Sequence, residues 1–190
     1  MKAALLAFGT LGVMAQSPTP LPPIPATTPG GLPSDARDQL PLLLGRTTAK
    51  AILAHREVFR DNLAKVQPGD AVLARWKALR QPFTLVAVFG SWCGDSHYQL
   101  PDLLALETVA NPFIEIHYLG VYRDKQLDAA LWPKGCAPQP VLRVPTFYLF
   151  ATRPGGFQKY MGSVVENPPK AGQTMAEALV ELLEAAAQAL

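Results

Sequence analysis

The spacing of apolar positions divides the chain into alternating helices and strands. From Thr47 to Val66, apolar residues at Ala51, Ile52, Val58, Phe59, Leu63 and Val66 recur at helical spacing. Thr47 or Thr48 can cap the start. Pro68-Gly69 ends this pattern, and Ala71 to Leu79 predicts a second short helix with Asp70 as cap. Phe83 to Phe89 is continuously apolar and predicts a buried strand. Ser96 to Val109 predicts a helix with Leu100, Leu103, Leu104 and Leu106 on its apolar side, kinked at Pro101. Phe113 to Val121 is rich in aromatic and β-branched residues and predicts a second strand. A short helix over Asp124 to Leu131 and a breaker-rich loop over Trp132 to Leu142 follow. Thr146 to Phe150 and Gln158 to Val165 predict two more strands around a Gly155-Gly156 turn. Thr174 to Leu190 closes the chain as an amphipathic helix.

This order predicts an α/β fold with a mixed four-stranded sheet and helices on both faces. The first two strands, joined by a helical crossover, should run parallel, and the last two, joined by a tight turn, antiparallel. The helices over Thr47 to Leu79 are additional to that unit.

The N-terminus has a different character. Lys2 precedes an apolar segment over Ala3–Ala15, and Val13-Met14-Ala15 offers small residues for cleavage before Gln16. This predicts an export signal over residues 1–15, hence a periplasmic or secreted protein. The segment is shorter than the ~20 residues that span a bilayer, so no stable membrane insertion is expected after cleavage. Residues 16–33 carry Pro18, Pro20, Pro22, Pro23, Pro25, Pro29 and Pro33, which predicts an extended linker. A helical extension over 34–80 and a main domain over 81–190 complete the expected organisation.

Composition adds bounds. Hydrophobic residues make up 49% of 190, enough for a real core. The formal net charge of +2, with Lys and Arg scattered, argues against a nucleic-acid partner. The two Cys, three His and Asp95 show no zinc-site spacing, so no metal is expected. Composition does not specify an oligomeric state.

Chemistry concentrates at Trp92-Cys93-Gly94-Asp95-Ser96. This run sets Cys93 between a strand and a helix N-terminus, where unpaired N–H groups and the helix dipole favour a thiolate. The layout resembles the active-site turn of the thioredoxin superfamily, whose usual motif is Trp-Cys-Gly-Pro-Cys. Pro101, eight residues after Cys93, matches the family's kinking proline. Val144-Pro145-Thr146 is similar to its cis-proline turn, and Gly162 to the glycine that keeps its substrate groove open. The resemblance covers Gln81 to Leu190 and extends to exported bacterial thioredoxin-like proteins through Gly162 to Pro168. It implies a three-layer thioredoxin-like fold with no cofactor. Cys93 would be the nucleophile, tuned by Asp95 and Ser96 and covered by Trp92. Val144, Pro145, Thr146 and Gly162 would contact a protein or small-thiol disulfide substrate.

Three departures shape the chemistry. Ser96 stands in place of the resolving cysteine, Asp95 in place of proline, and Ala87 in place of a buried acid. A dithiol cycle within the motif is therefore impossible. Release of a mixed disulfide on Cys93 then needs an external thiol, a second substrate thiol, or Cys136. Cys136 either pairs with Cys93, functionally or structurally, or stands alone. His97, four residues after Cys93, would support the thiolate as imidazolium or lie idle as an exposed helix residue. A non-catalytic binding module using the same groove is the rival class. Asp35, Asp38, Glu57 and Asp61 read as solvated charges, and Trp76 and Trp132 as partial core.

Overall fold

A computed structural model describes residues 33–153 and 155–190. The expected export segment 1–15 and nearly all of the linker lie outside the described residues. The fold is α/β, a mixed sheet flanked by helices. Five strands lie in the order β1-β3-β2-β4-β5. They are β1 (Gly45–Thr47), β2 (Phe83–Phe89), β3 (Ile114–Gly120), β4 (Thr146–Thr152) and β5 (Gln158–Val165). β2 runs parallel to β3 and β4 antiparallel to β5, as expected from the connections, and β4 also pairs antiparallel with β2.

The sheet therefore has five strands, not four. The additional strand, β1, pairs antiparallel with β3 at the sheet edge. Three residues are too few to show a period-two alternation, so its own sequence carries no strand signal.

The expected helix over Thr47 to Val66 is two helices, α1 (Ala49–His55) and α2 (Glu57–Leu63). Thr48 caps α1, its hydroxyl accepting from the Ala51 N–H at 3.2 Å. Arg56 breaks the run with extended backbone, φ −135° and ψ 135°. Its guanidinium donates to the Pro41 carbonyl (3.1 Å) and to Asp38 (3.4 Å), which ties the break to the preceding loop. α3 (Asp70–Ala78), α4 (Gly94–Glu107) and α5 (Met175–Gln188) agree with their patterns to within two residues. The expected helix over Asp124 to Leu131 shrinks to a single 3₁₀ turn, Ala129–Leu131. Lys125 holds a left-handed φ of 58°, which a continuous helix cannot accommodate.

α4 runs through Pro101, whose ring is buried. Proline has no N–H to offer the carbonyl of His97, one turn earlier. The buried Asn62 side chain of α2 supplies that bond instead, at 2.8 Å.

Two apolar clusters sit on the two sheet faces. One joins Leu85, Ala87 and Leu149 to residues from every α-helix, among them Ile52, Phe59 and Leu179. The other joins Val86, Val88 and Phe150 to Trp132, Cys136 and Val144. All five α-helices thus share one core, and the second face is covered by the connection between β3 and β4. This corrects the expectation of helices on both faces. Trp76 and Trp132 are buried core rather than partial core.

Candidate functional site

The C-terminal ends of β2 and β3 and the N-terminal end of β4 meet at one end of the sheet, with Phe89 beside Gly120 and Val88 beside Thr146. Gly90-Ser91-Trp92 turns the chain from β2 into α4. Gly90 is required here because a Cβ at that position would lie 2.7 Å from the Trp92 ring. The Trp92 indole N–H donates to the Val121 carbonyl at 2.9 Å, and this fixes the ring over the turn.

Cys93 is the N-cap residue of α4, with φ −95° and ψ 126°. Its carbonyl accepts the first helical bond, from the His97 N–H at 3.0 Å. The half-buried Sγ donates to the Val144 carbonyl at 3.2 Å. Val144 precedes Pro145 through a cis peptide bond, and the Pro145 carbonyl accepts from the Glu166 N–H at 2.7 Å. Thr146 is buried, and its hydroxyl donates to the Arg143 carbonyl at 2.7 Å, closing the turn rather than presenting a free hydroxyl. The structure thus brings Trp92, Cys93, Val144 and Pro145 together.

Three other expected residues act differently. Ser96 is buried, and its hydroxyl accepts from the Gly90 N–H at 3.2 Å, so it ties the turn to α4 and makes no hydrogen bond to the sulfur. Asp95 is exposed in the first turn of α4, where a carboxylate suits the helix dipole. Gly162 pairs with Leu149, three residues along β4 from Thr146. Its φ of +146° favours glycine, and an added Cβ would meet Leu182 of α5 at 3.2 Å. Gly162 therefore admits α5 against β5 and does not border the Cys93 turn.

His97 is neither an imidazolium nor an idle exposed residue. Its Nε2 lies 2.9 Å from the Ser91 carbonyl, and its ring meets Phe59 edge-on with centroids 5.1 Å apart. Burial lowers its pKa below the usual histidine value, against the opposing bond to Ser91, so it is neutral at pH 7 and gives the sulfur no charge.

Cys136 is buried, with its N–H bonded to the Pro133 carbonyl at 3.0 Å. The two cysteines are free thiols, not a disulfide. Burial, with a smaller contribution from Glu115, pushes the Cys136 thiol up to about 11.

One part of the site had no sequence signal. Arg123 lies over the Trp92 ring, 4.5 Å from its centroid. Its guanidinium holds the Asp35 carboxylate through two nitrogens, at 3.0 and 2.6 Å, with the Asp35 side chain fully buried. Burial raises the Asp35 pKa, but the bonds from Arg123 and the Arg37 N–H outweigh it, and the net shift is downward. Asp35 is therefore not a solvated charge. The pair is 88 residues apart in sequence, so no local pattern could reveal it. Among the described residues, no group of His, Cys, Asp or Glu could hold a metal ion, and no helix is long and apolar enough to cross a membrane.

Fold and site together define an α/β protein with one half-buried thiol at a strand–helix junction. No family model matches the chain, and no curated protein matches it. Among solved structures it is similar to an HIV epitope scaffold, with 16% identity over 77% of this chain and 94% of that one, at a TM-score of 0.52. It is also similar to a Pseudomonas aeruginosa protein of unknown function, with 18% identity over 76% and 87%, at a TM-score of 0.46. The first likeness concerns the fold alone.

Proposed function

We propose that this protein is an exported thioredoxin-like protein that exchanges thiols and disulfides through Cys93 alone. The observation that carries the reading is the position of Cys93, the N-cap of a 14-residue helix with Sγ facing the Val144 carbonyl. The Cys93 thiolate attacks one sulfur of a disulfide, forms a mixed disulfide with it and expels the other sulfur as a thiolate. An external thiol such as glutathione then attacks the mixed disulfide, takes the substrate sulfur and restores Cys93. Burial and a thiol pKa of about 11 make Cys136 a poor resolving group, which favours the monothiol route. Val144 and Pro145 shape the site for an extended substrate backbone, and Trp92 shields one side of the sulfur. Export rests on Lys2 and the apolar run that follows it.

The test is steady-state reduction of a fluorescent peptide–glutathione mixed disulfide by excess glutathione. Turnover is expected for the full chain and for Cys136→Ser, and its loss for Cys93→Ser. Equal rates for Cys93→Ser and the full chain would overturn the reading. A second reading is a non-catalytic binding module, favoured by the exposed apolar groove that begins at Arg143, next to Val144. It requires partner capture that Cys93→Ala leaves intact.

A further inference from the structure

An apolar groove of about 300 Å³ lies beside the β4–β5 pair, lined by Pro140, Leu142, Arg143, Tyr148, Tyr160 and Val165. Seven large hydrophobic residues are exposed among the described residues, and three of them, Leu142 (78%), Tyr160 (40%) and Val165 (44%), converge on this groove. These three gather on one surface rather than being scattered singly. Tyr160 and Tyr148 form its aromatic wall, with ring centroids 6.5 Å apart and planes tilted by 49°. The Tyr148 hydroxyl donates to the Pro140 carbonyl at 2.8 Å, which holds the opposite wall in place. β5 is the edge strand, so no further strand closes this side.

Aromatic-lined grooves of this kind suit polyproline II segments, which arrive already extended and lose little entropy on docking. This chain carries a proline-rich stretch of sequence. Residues 16–33 contain seven prolines, with Leu21 and Ile24 among them and no charged residue. An uncharged, apolar ligand matches a groove whose one cation, Arg143, is already paired with Glu166 at 2.7 Å.

The described chain also starts at the right end of the molecule. The Pro33 carbonyl accepts from the Leu42 N–H at 2.7 Å, and Asp35 is clamped by Arg123 over Trp92. Trp92 adjoins Cys93, Cys93 bonds the Val144 carbonyl, and Val144 follows the groove residue Arg143. Anchor and groove thus share one end of the sheet. At ~3.1 Å per residue, a polyproline II stretch of about 15 residues spans about 45 Å. That exceeds the ~15 Å radius of gyration expected of a domain of this size.

We infer that the groove between Leu142 and Tyr160 is the docking site for this chain's own proline-rich segment, residues 17–32. The inference goes beyond the proposed chemistry and does not rest on redox activity of Cys93. The test places a photo-crosslinking benzophenone side chain at the exposed position 142 of the full chain and maps the products by mass spectrometry. The expected result is a cross-link within one copy to residues 17–32, independent of protein concentration. Tyr160→Ala, and separately Pro22, Pro23 and Pro25→Gly, should each lower its yield roughly fivefold, the loss of about 1 kcal/mol. Cross-links between copies would assign the groove to a second molecule and overturn the inference. Cross-links that bypass residues 17–32, or a yield unchanged by both sets of substitutions, would also overturn it.

Discussion

Two thiols of opposite character give the sharpest contrast among single residues. Cys93 is half-buried at a helix N-cap, and Cys136 is buried with its thiol pushed up to about 11. Cys136 is both buried and held protonated, so native-state iodoacetamide should alkylate the half-buried Cys93 at least about tenfold faster. Equal rates measured by mass spectrometry would refute this. Asp35 makes a different case. Folding lowers its pKa, so the unfolded chain binds that proton more tightly. The stability it contributes is complete above the ordinary aspartate value of ~3.9 and is lost as pH falls through the lowered folded value. Asp35→Asn leaves Arg123 unpaired under a buried contact and should cost about 3 kcal/mol at pH 7 in urea unfolding. Its stability should also fall less steeply than the native protein's below ~pH 4. The motif residues were legible in the sequence because the strand, turn and helix around Cys93 are contiguous. The Asp35–Arg123 clamp was not, since its partners meet only through tertiary contact.

Elements were legible in proportion to their length and to their punctuation. β2, α4 and α5 each carry an unbroken apolar rhythm, and their bounds differ little from the pattern. β1 lacks one, because an edge strand of three residues is defined by its partner β3. The 3₁₀ turn was overread as a helix because apolar spacing cannot register the left-handed φ at Lys125. The break at Arg56 has a different origin, a side chain tethered to the preceding loop. The α2–α4 contact yields an element-level prediction. Asn62 supplies the bond that Pro101 cannot, so Asn62→Ala leaves the His97 carbonyl unpaired and should cost about 2 kcal/mol. Hydrogen exchange should then rise first in the turn of α4 preceding Pro101. Unchanged protection there would count against this account of how α4 tolerates proline.

At the scale of the whole molecule, the fold carries all five α-helices on one face of the sheet and gives the other face to the connection between β3 and β4. That connection brings both Cys136 and Val144 to the second face, and only Val144 bonds Cys93. The directions of the β2–β3 and β4–β5 pairs were legible from the crossover and the hairpin, whereas the strand order and the distribution of helices between faces are set by long-range contact. Because Cys93 has no covalent partner, Cys93→Ser should shift the urea midpoint by no more than ~0.5 kcal/mol equivalent while abolishing exchange. The central claim, that Cys93 alone forms the mixed disulfide, is tested most directly by intact mass after brief reaction with a glutathionylated peptide. One peptide or glutathione adduct on the full chain and on Cys136→Ser, with none on Cys93→Ser, is the predicted result. An adduct on Cys93→Ser, or a Cys93–Cys136 disulfide in place of the adduct, would contradict it.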